Sequence, residues 1–203
     1  MGVPTIPMSE PAAHSEPVAE EAPSAPRPPL VELLPTGVAR VLVAAAMLAM
    51  VVLSFADFGL HGRALIGAVF CPALVLLAAI DVRHKLLPNT IILPAVLAVG
   101  LIVAASAPGS FLTHLAAGAA LGGFFFVFGT IFAGSIGMGD AKLGFLMGLA
   151  LGSKTLGATL IAVAGLLVAA LYVLARRGAS ARRDALPFGP FLALGGILTF
   201  FLG

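Results

Sequence analysis

From Val38 onward the chain is an almost unbroken series of apolar runs, and this constrains its fold more than any other feature. Seven runs are read: 38–56, 64–80, 90–107, 111–134, 141–152, 155–175 and 188–203. Most approach the ~20 residues that a helix needs to cross a hydrocarbon core ~30 Å thick. Their apolar residues go all round the helical wheel, which suits contact with lipid and with neighbouring helices. Hydrophobic residues make up 60% of the 203 and charged residues 10%, against ~45–50% and ~25% in soluble domains. A soluble globule cannot hide that much apolar surface, so an ordinary cytosolic enzyme and a disordered protein are both excluded. The expected fold class is all-α: a polytopic integral membrane helical bundle of about seven transmembrane helices.

Small residues fill these runs, as at Gly118, Ala119, Ala120, Gly122 and Gly123. They permit close helix packing where burial alone cannot drive association. Pro72 and Pro94 are expected to kink their helices. The single cysteine, Cys71, excludes a disulfide framework and a Cys-based zinc site; inside an apolar run, it reads as a packing residue. A net charge of +2 gives no argument for a nucleic-acid partner.

Residues 1–37 differ in kind. They hold nine of the fifteen prolines and five of the nine acids, with Arg27 as the one base. Such a segment cannot bury enough apolar area to offset its ordering entropy, so it is expected to be a disordered Pro/Glu-rich tail, a spacer or a docking arm. No basic n-region leads into an apolar h-region, so it does not read as a signal peptide. The domain division is 1–37 for the tail and 38–203 for the membrane body.

Charge placement sets the expected topology. If all seven runs span and the N-terminus is cytoplasmic, the inner side carries Arg27, Arg40, Arg83, Lys85, Lys142, Arg176, Arg177, Arg182 and Arg183, and the outer side Arg63 and Lys154. The fifth run, 141–152, is short. Were it to turn back, the four-Arg loop would move outside, against the positive-inside rule. A short spanning helix is therefore expected there, with a locally thin membrane beside it.

Beyond the tail only four acids remain: Asp57, Asp81, Asp140 and Asp184. Asp57 and Asp184 read as solvated loop charges. Asp81 and Asp140 each lie at the inner end of an apolar run and fall on the same side. An ionisable group there is a functional candidate by default. Pro88 biases Leu87 away from helix, and Asn89 can cap the helix that follows. Asp140 closes Gly137-Met138-Gly139-Asp140, whose glycines leave room for another segment and which places Asp140 near a helix N-terminus.

Two carboxylates at hydrogen-bond range cannot both ionise easily and share one proton. The ionised partner can draw a proton from water that attacks a scissile carbonyl, while the protonated partner donates to the carbonyl oxygen. Such chemistry requires neither metal nor covalent intermediate, so no cofactor is expected. Either aspartate alone has a bland reading: Asp140 as a helix cap, Asp81 as a headgroup-level partner of Arg83 or Lys85. Their occurrence together, on one side, is what points to a site.

At these residues the sequence resembles the type IV prepilin peptidases. Asp81 through Leu87-Pro88-Asn89 matches that family's first catalytic motif, and Gly137-Met138-Gly139-Asp140-Ala141-Lys142-Leu143 its second. Leu186-Pro187-Phe188-Gly189-Pro190 is similar to its C-terminal Pro-Phe-Gly-Pro segment. The resemblance covers roughly 63–203. It implies an aspartic endopeptidase of the bacterial inner membrane that removes the short basic leader of prepilins and pseudopilins at the cytoplasmic face, cutting after a glycine. Asp81 and Asp140 would be the catalytic pair. Larger members carry an N-terminal domain with two Cys-x-x-Cys pairs and also methylate the new N-terminus. With Cys71 alone, methyltransferase activity is doubtful, and a peptidase-only form is expected. The presenilin-like proteases share Gly-x-Gly-Asp, but they have Tyr-Asp where this chain has Ile80-Asp81. Their Pro-Ala-Leu follows the second aspartate, whereas Pro72-Ala73-Leu74 precedes both.

Supporting candidates are Gly137, Gly139, Lys142, Pro88 and Asn89. Lys142 can favour the ionised form of the pair through its charge or serve as an inner-face anchor. Arg83, His84 and Lys85 read as headgroup contacts. His114 and Phe124 to Phe126 read as structural. The rival reading is a membrane scaffold or transporter component with structural aspartates, for which the two carboxylates need not meet.

Overall fold

A computed structural model describes residues 30–131, 137–177 and 187–203, with side chains from 32 and up to 176 in the first two stretches' outer limits. A short helix α1 (Leu30–Leu33) precedes seven longer ones: α2 (Val38–Phe58), α3 (Gly62–His84), α4 (Asn89–Ser106), α5 (Phe111–Ile131), α6 (Met138–Leu151), α7 (Thr155–Arg177) and α8 (Gly189–Leu202). Single 3-10 turns, Pro108–Ser110 and Gly152–Lys154, lead into α5 and α7. Each long helix falls on one of the seven apolar runs. Pro72 and Pro94 lie inside α3 and α4, which continue past them.

Length and hydropathy give five stretches able to cross a membrane rather than the seven expected: Val38–Phe58, Gly62–His84, Asn89–Ser106, Pro108–Ile131 and Met138–Arg176. The last joins α6 and α7 through their 3-10 turn. Taken singly, α6 and α8 have fourteen residues each and rise about 21 Å, short of the ~30 Å core. The reason a short helix is tolerated at α6 lies in its surroundings. Nine of its fourteen residues are buried, and it packs against α3, α4, α5, α7 and α8. A helix enclosed by protein need not match the lipid.

Glycines bring α5 and α6 together. A Cβ on Gly148 would stand 2.3 Å from the Gly118 nitrogen, and one on Gly122 would stand 2.9 Å from the Ala141 carbonyl oxygen. Nothing but glycine permits this backbone-to-backbone approach, the packing mode expected where lipid competes for apolar surface. Phe125 is buried against Gly144, whereas Phe124 and Phe126 are exposed. Cys71 is fully buried in the core.

The two ends of the bundle differ. At one end Arg63 donates to the Phe200 carbonyl at 2.7 Å and lies 4.3 Å over the Phe58 ring, and Lys154 bonds to the Gly203 carbonyl. Both cations thus meet the C-terminal end of α8, where the helix dipole favours positive charge. His114 Nδ1 donates to the Leu149 carbonyl at 2.8 Å, tying α5 to the end of α6. At the other end lie the C-terminus of α3, the N-termini of α4, α6 and α8, and the segment before α2.

Of the tail expected to be disordered over 1–37, only residues 30–37 are described. Leu30–Leu33 is helical, Leu33 is 5% exposed, and Pro35 is buried. Arg40 Nε donates to the Pro35 carbonyl at 3.1 Å and ties the segment to the first turn of α2. Residues 1–29, the rest of the tail, lie outside the described residues, as do Asp184, Arg182, Arg183 and Leu186. Asp57 is exposed as expected, but it sits in the last turn of α2 rather than in a loop.

Candidate active site

Asp81 occupies the last turn of α3. The helix closes when Lys85 turns left-handed at φ 51° and its N–H returns to the Asp81 carbonyl at 2.9 Å. Leu86, Leu87 and Pro88 then run outside helix, as the proline after Leu87 requires. The chain re-enters helix at Asn89.

Asp140 stands in the first turn of α6, whose N-cap is Gly137. The Gly137 N–H donates to Asp140 Oδ2 at 3.0 Å, and the Asp140 N–H returns to the Gly137 carbonyl at 3.0 Å. The carboxylate thereby satisfies one of the unpaired amides at a helix start. Gly137 has φ −78°, which any residue adopts. Gly139 is needed for space: a Cβ there would stand 2.7 Å from Leu87 Cβ. The room expected beside this motif is therefore taken by the loop after Asp81.

Asp81 and Asp140 line one cleft of about 600 Å³, within the ~300–1,000 Å³ usual for ligand sites. Pro88, Asn89, Gly137, Gly139 and Lys142 line it as well, so every supporting candidate is brought to the same place. Asp81 is 6% exposed. Its Oδ2 accepts from the Gly189 N–H at 2.9 Å, and a Cβ on Gly189 would stand 2.7 Å from that oxygen. Phe188 stacks edge-on against Phe125 at 5.6 Å between ring centres, which seats the start of α8 beside Asp81. Each aspartate thus has one oxygen held by a backbone amide. Lys85 lines the same cleft.

Asn89 is not a helix cap. Pro88 holds the N-cap position, so Asn89 is the first helical residue and no side chain caps α4. Its Oδ1 accepts instead from Lys142 Nζ at 2.8 Å. This bond joins the start of α4 to the first turn of α6 and places the lysine in the cleft wall. Sequence reasoning missed Gly189 as a partner of Asp81, because a backbone donor has no side chain to betray it. It also missed Leu33, which lines the cleft from α1. Among the described residues no group of three or more His, Cys, Asp or Glu side chains gathers as a metal site.

The profile of the type IV leader peptidase family matches residues 68–174. Over 179 residues the chain is 35% identical to a prepilin leader peptidase/N-methyltransferase of Burkholderia pseudomallei (strain K96243), covering 83% of this chain and 56% of that protein. Over 153 residues it is 36% identical to the protein of the same description from Bacillus subtilis (strain 168), covering 72% of this chain and 59% of that protein. The chain therefore spans somewhat over half the length of the curated relatives it matches. No solved structure matches. With both aspartates inside the matched region and facing one cleft, the chain belongs to the type IV leader peptidase family.

Proposed function

We propose that this chain is a membrane-embedded aspartic endopeptidase that removes the leader of prepilin-type proteins, with Asp81 and Asp140 as its catalytic pair. The observation that carries the reading is their meeting in one cleft, each with one oxygen on a backbone amide and the other without a hydrogen bond among the described residues. The family and the printed names of its relatives support the substrate class.

In this mechanism the pair holds a single proton. The ionised carboxylate takes a proton from water as the water attacks the scissile carbonyl. The protonated one donates to the carbonyl oxygen; as the C–N bond breaks, the proton gained from water passes to the departing amine and a hydroxyl proton of the intermediate returns to the carboxylate that donated. The Gly189 and Gly137 amides hold the two carboxylates so that little reorganisation is needed at the moment of attack. The Lys142–Asn89 bond fixes the first turn of α6 against α4. Gly139 and Pro88 shape the loop that seats Leu87 between the two motifs.

The bundle is read as crossing the bacterial inner membrane about seven times, with the N-terminus and the cleft at the cytoplasmic face. Arg83, Lys85 and Lys142 stand at the cleft end, while Arg63 and Lys154 stand at the other, which supports that orientation. Lipid covers the exposed apolar faces. Methyl transfer is not part of the proposal. A scaffold with unrelated aspartates has no need to bring them into one cleft.

The test is co-expression with a prepilin from the same source, read as a gel shift on leader removal. Wild type cleaves. Asp81→Asn and Asp140→Asn, expressed at the same level in the membrane, do not. Normal processing by either variant would overturn the assignment.

A further inference from the structure

Leu33 lies outside the family-matched region 68–174, yet its side chain forms part of the wall of the cleft that holds Asp81 and Asp140. It is 5% exposed. The segment that carries it is anchored: Pro35 is buried, and its carbonyl accepts from Arg40 Nε at 3.1 Å. A cavity of about 600 Å³ remains beside Leu33, so the leucine bounds the space without filling it. Leu86, Leu87 and Met138, all apolar, line the same cleft. An apolar wall of this kind beside two carboxylates suits an uncharged side chain.

We propose that Leu33 is a specificity-determining residue: it walls an apolar subsite that receives a side chain of the polypeptide substrate flanking the scissile bond. This rests on the peptidase reading of the cleft. The size of the wall residue then sets which side chains fit. In a hydrophobic pocket, discrimination amounts to ~10–200-fold for a methylene-scale change.

The experiment uses the full chain in detergent and prepilin-type probe peptides that differ only in the residue after the scissile glycine: Ala, Met, Leu or Phe. Leu33→Ala shifts the kcat/KM ratio of the Phe probe to the Ala probe upward by about tenfold, and Leu33→Phe shifts it downward. A uniform loss on all probes would reduce Leu33 to a packing residue, and a uniform gain would make it a plug; either overturns the proposal. A photoreactive phenylalanine at position 33, placed in the Asp81→Asn protein, cross-links to the bound probe. Cleavage by the wild-type chain without that cross-link also overturns it. A cross-link in a chain whose wild type cleaves no probe would retain the contact and overturn the peptidase reading instead.

Discussion

The Gly189 amide donates to Asp81 Oδ2 at 2.9 Å across 108 residues of chain. It is a buried bond from the first residue of α8 to the last turn of α3. It explains why a glycine stands there, since a Cβ would lie 2.7 Å from that oxygen and 3.0 Å from the carboxyl carbon. Gly189→Ala is expected to push the Asp81 carboxylate out of place while leaving the bundle folded. A hydrogen bond to a charged group is worth ~1.5–3 kcal/mol, so leader removal should slow by about tenfold or more. Initial rates on purified protein, beside a thermal midpoint that barely moves, check this. An unchanged rate would detach the Pro-Phe-Gly-Pro segment from the site.

Lys142 and Asn89 should act as one unit. Lys142→Met and Asn89→Ala each remove the same 2.8 Å bond. Each is expected to reduce the rate by about tenfold, and the double variant should be no slower than the worse single one. Full additivity in this cycle would show that the two residues act apart.

Activity should fall at both ends of the pH range. In the proposed mechanism the working form of the pair holds one proton. As pH rises the second carboxyl ionises and the donor to the carbonyl oxygen is lost; as pH falls the first is protonated and the base is lost. The rate profile is therefore bell-shaped, and a flat profile through the alkaline limb contradicts a shared proton.

The α5–α6 contact should tolerate no side chain at Gly148. A Cβ there meets backbone at 2.3 Å, and backbone cannot swing aside, so Gly148→Ala should destabilise by at least ~1–3 kcal/mol. Gly123→Ala, on the same α5 helix with nothing within 4 Å, should be neutral or slightly stabilising, by up to ~1 kcal/mol. Thermal unfolding of the two variants in detergent separates these outcomes.

Hydropathy made the helices legible because each run is bounded by charge, glycine or proline, and α2 to α8 start and stop near those marks. It was less informative on crossings, since a run of apolar residues does not say whether lipid or protein surrounds it; α6 and α8 are the cases in point. The aspartates were legible because acids are so rare in the membrane body. Asn89 misled because its role depends on whether the helix starts at 89 or 90, a one-residue matter that sequence leaves loose. Leu33 was hidden by averaging: four of the five residues from Leu30 to Leu34 are apolar, but they sit with Glu32 in a Pro- and Glu-rich stretch whose composition outweighed them.

The enclosure of α6 separates the helix that carries Asp140 from the lipid. When a bilayer thickens or thins, the helices that face it tilt to follow, and α2 and α7 carry broad exposed apolar faces. α6 has almost no such face. The depth of Asp140 is thus set by its protein neighbours, through backbone contacts at Gly118 and Gly148 that cannot slide. On the proposed reading, the Asp140 half of the pair is carried on a mount insulated from the thickness of whichever membrane holds it, and Asp81 meets it from the end of α3.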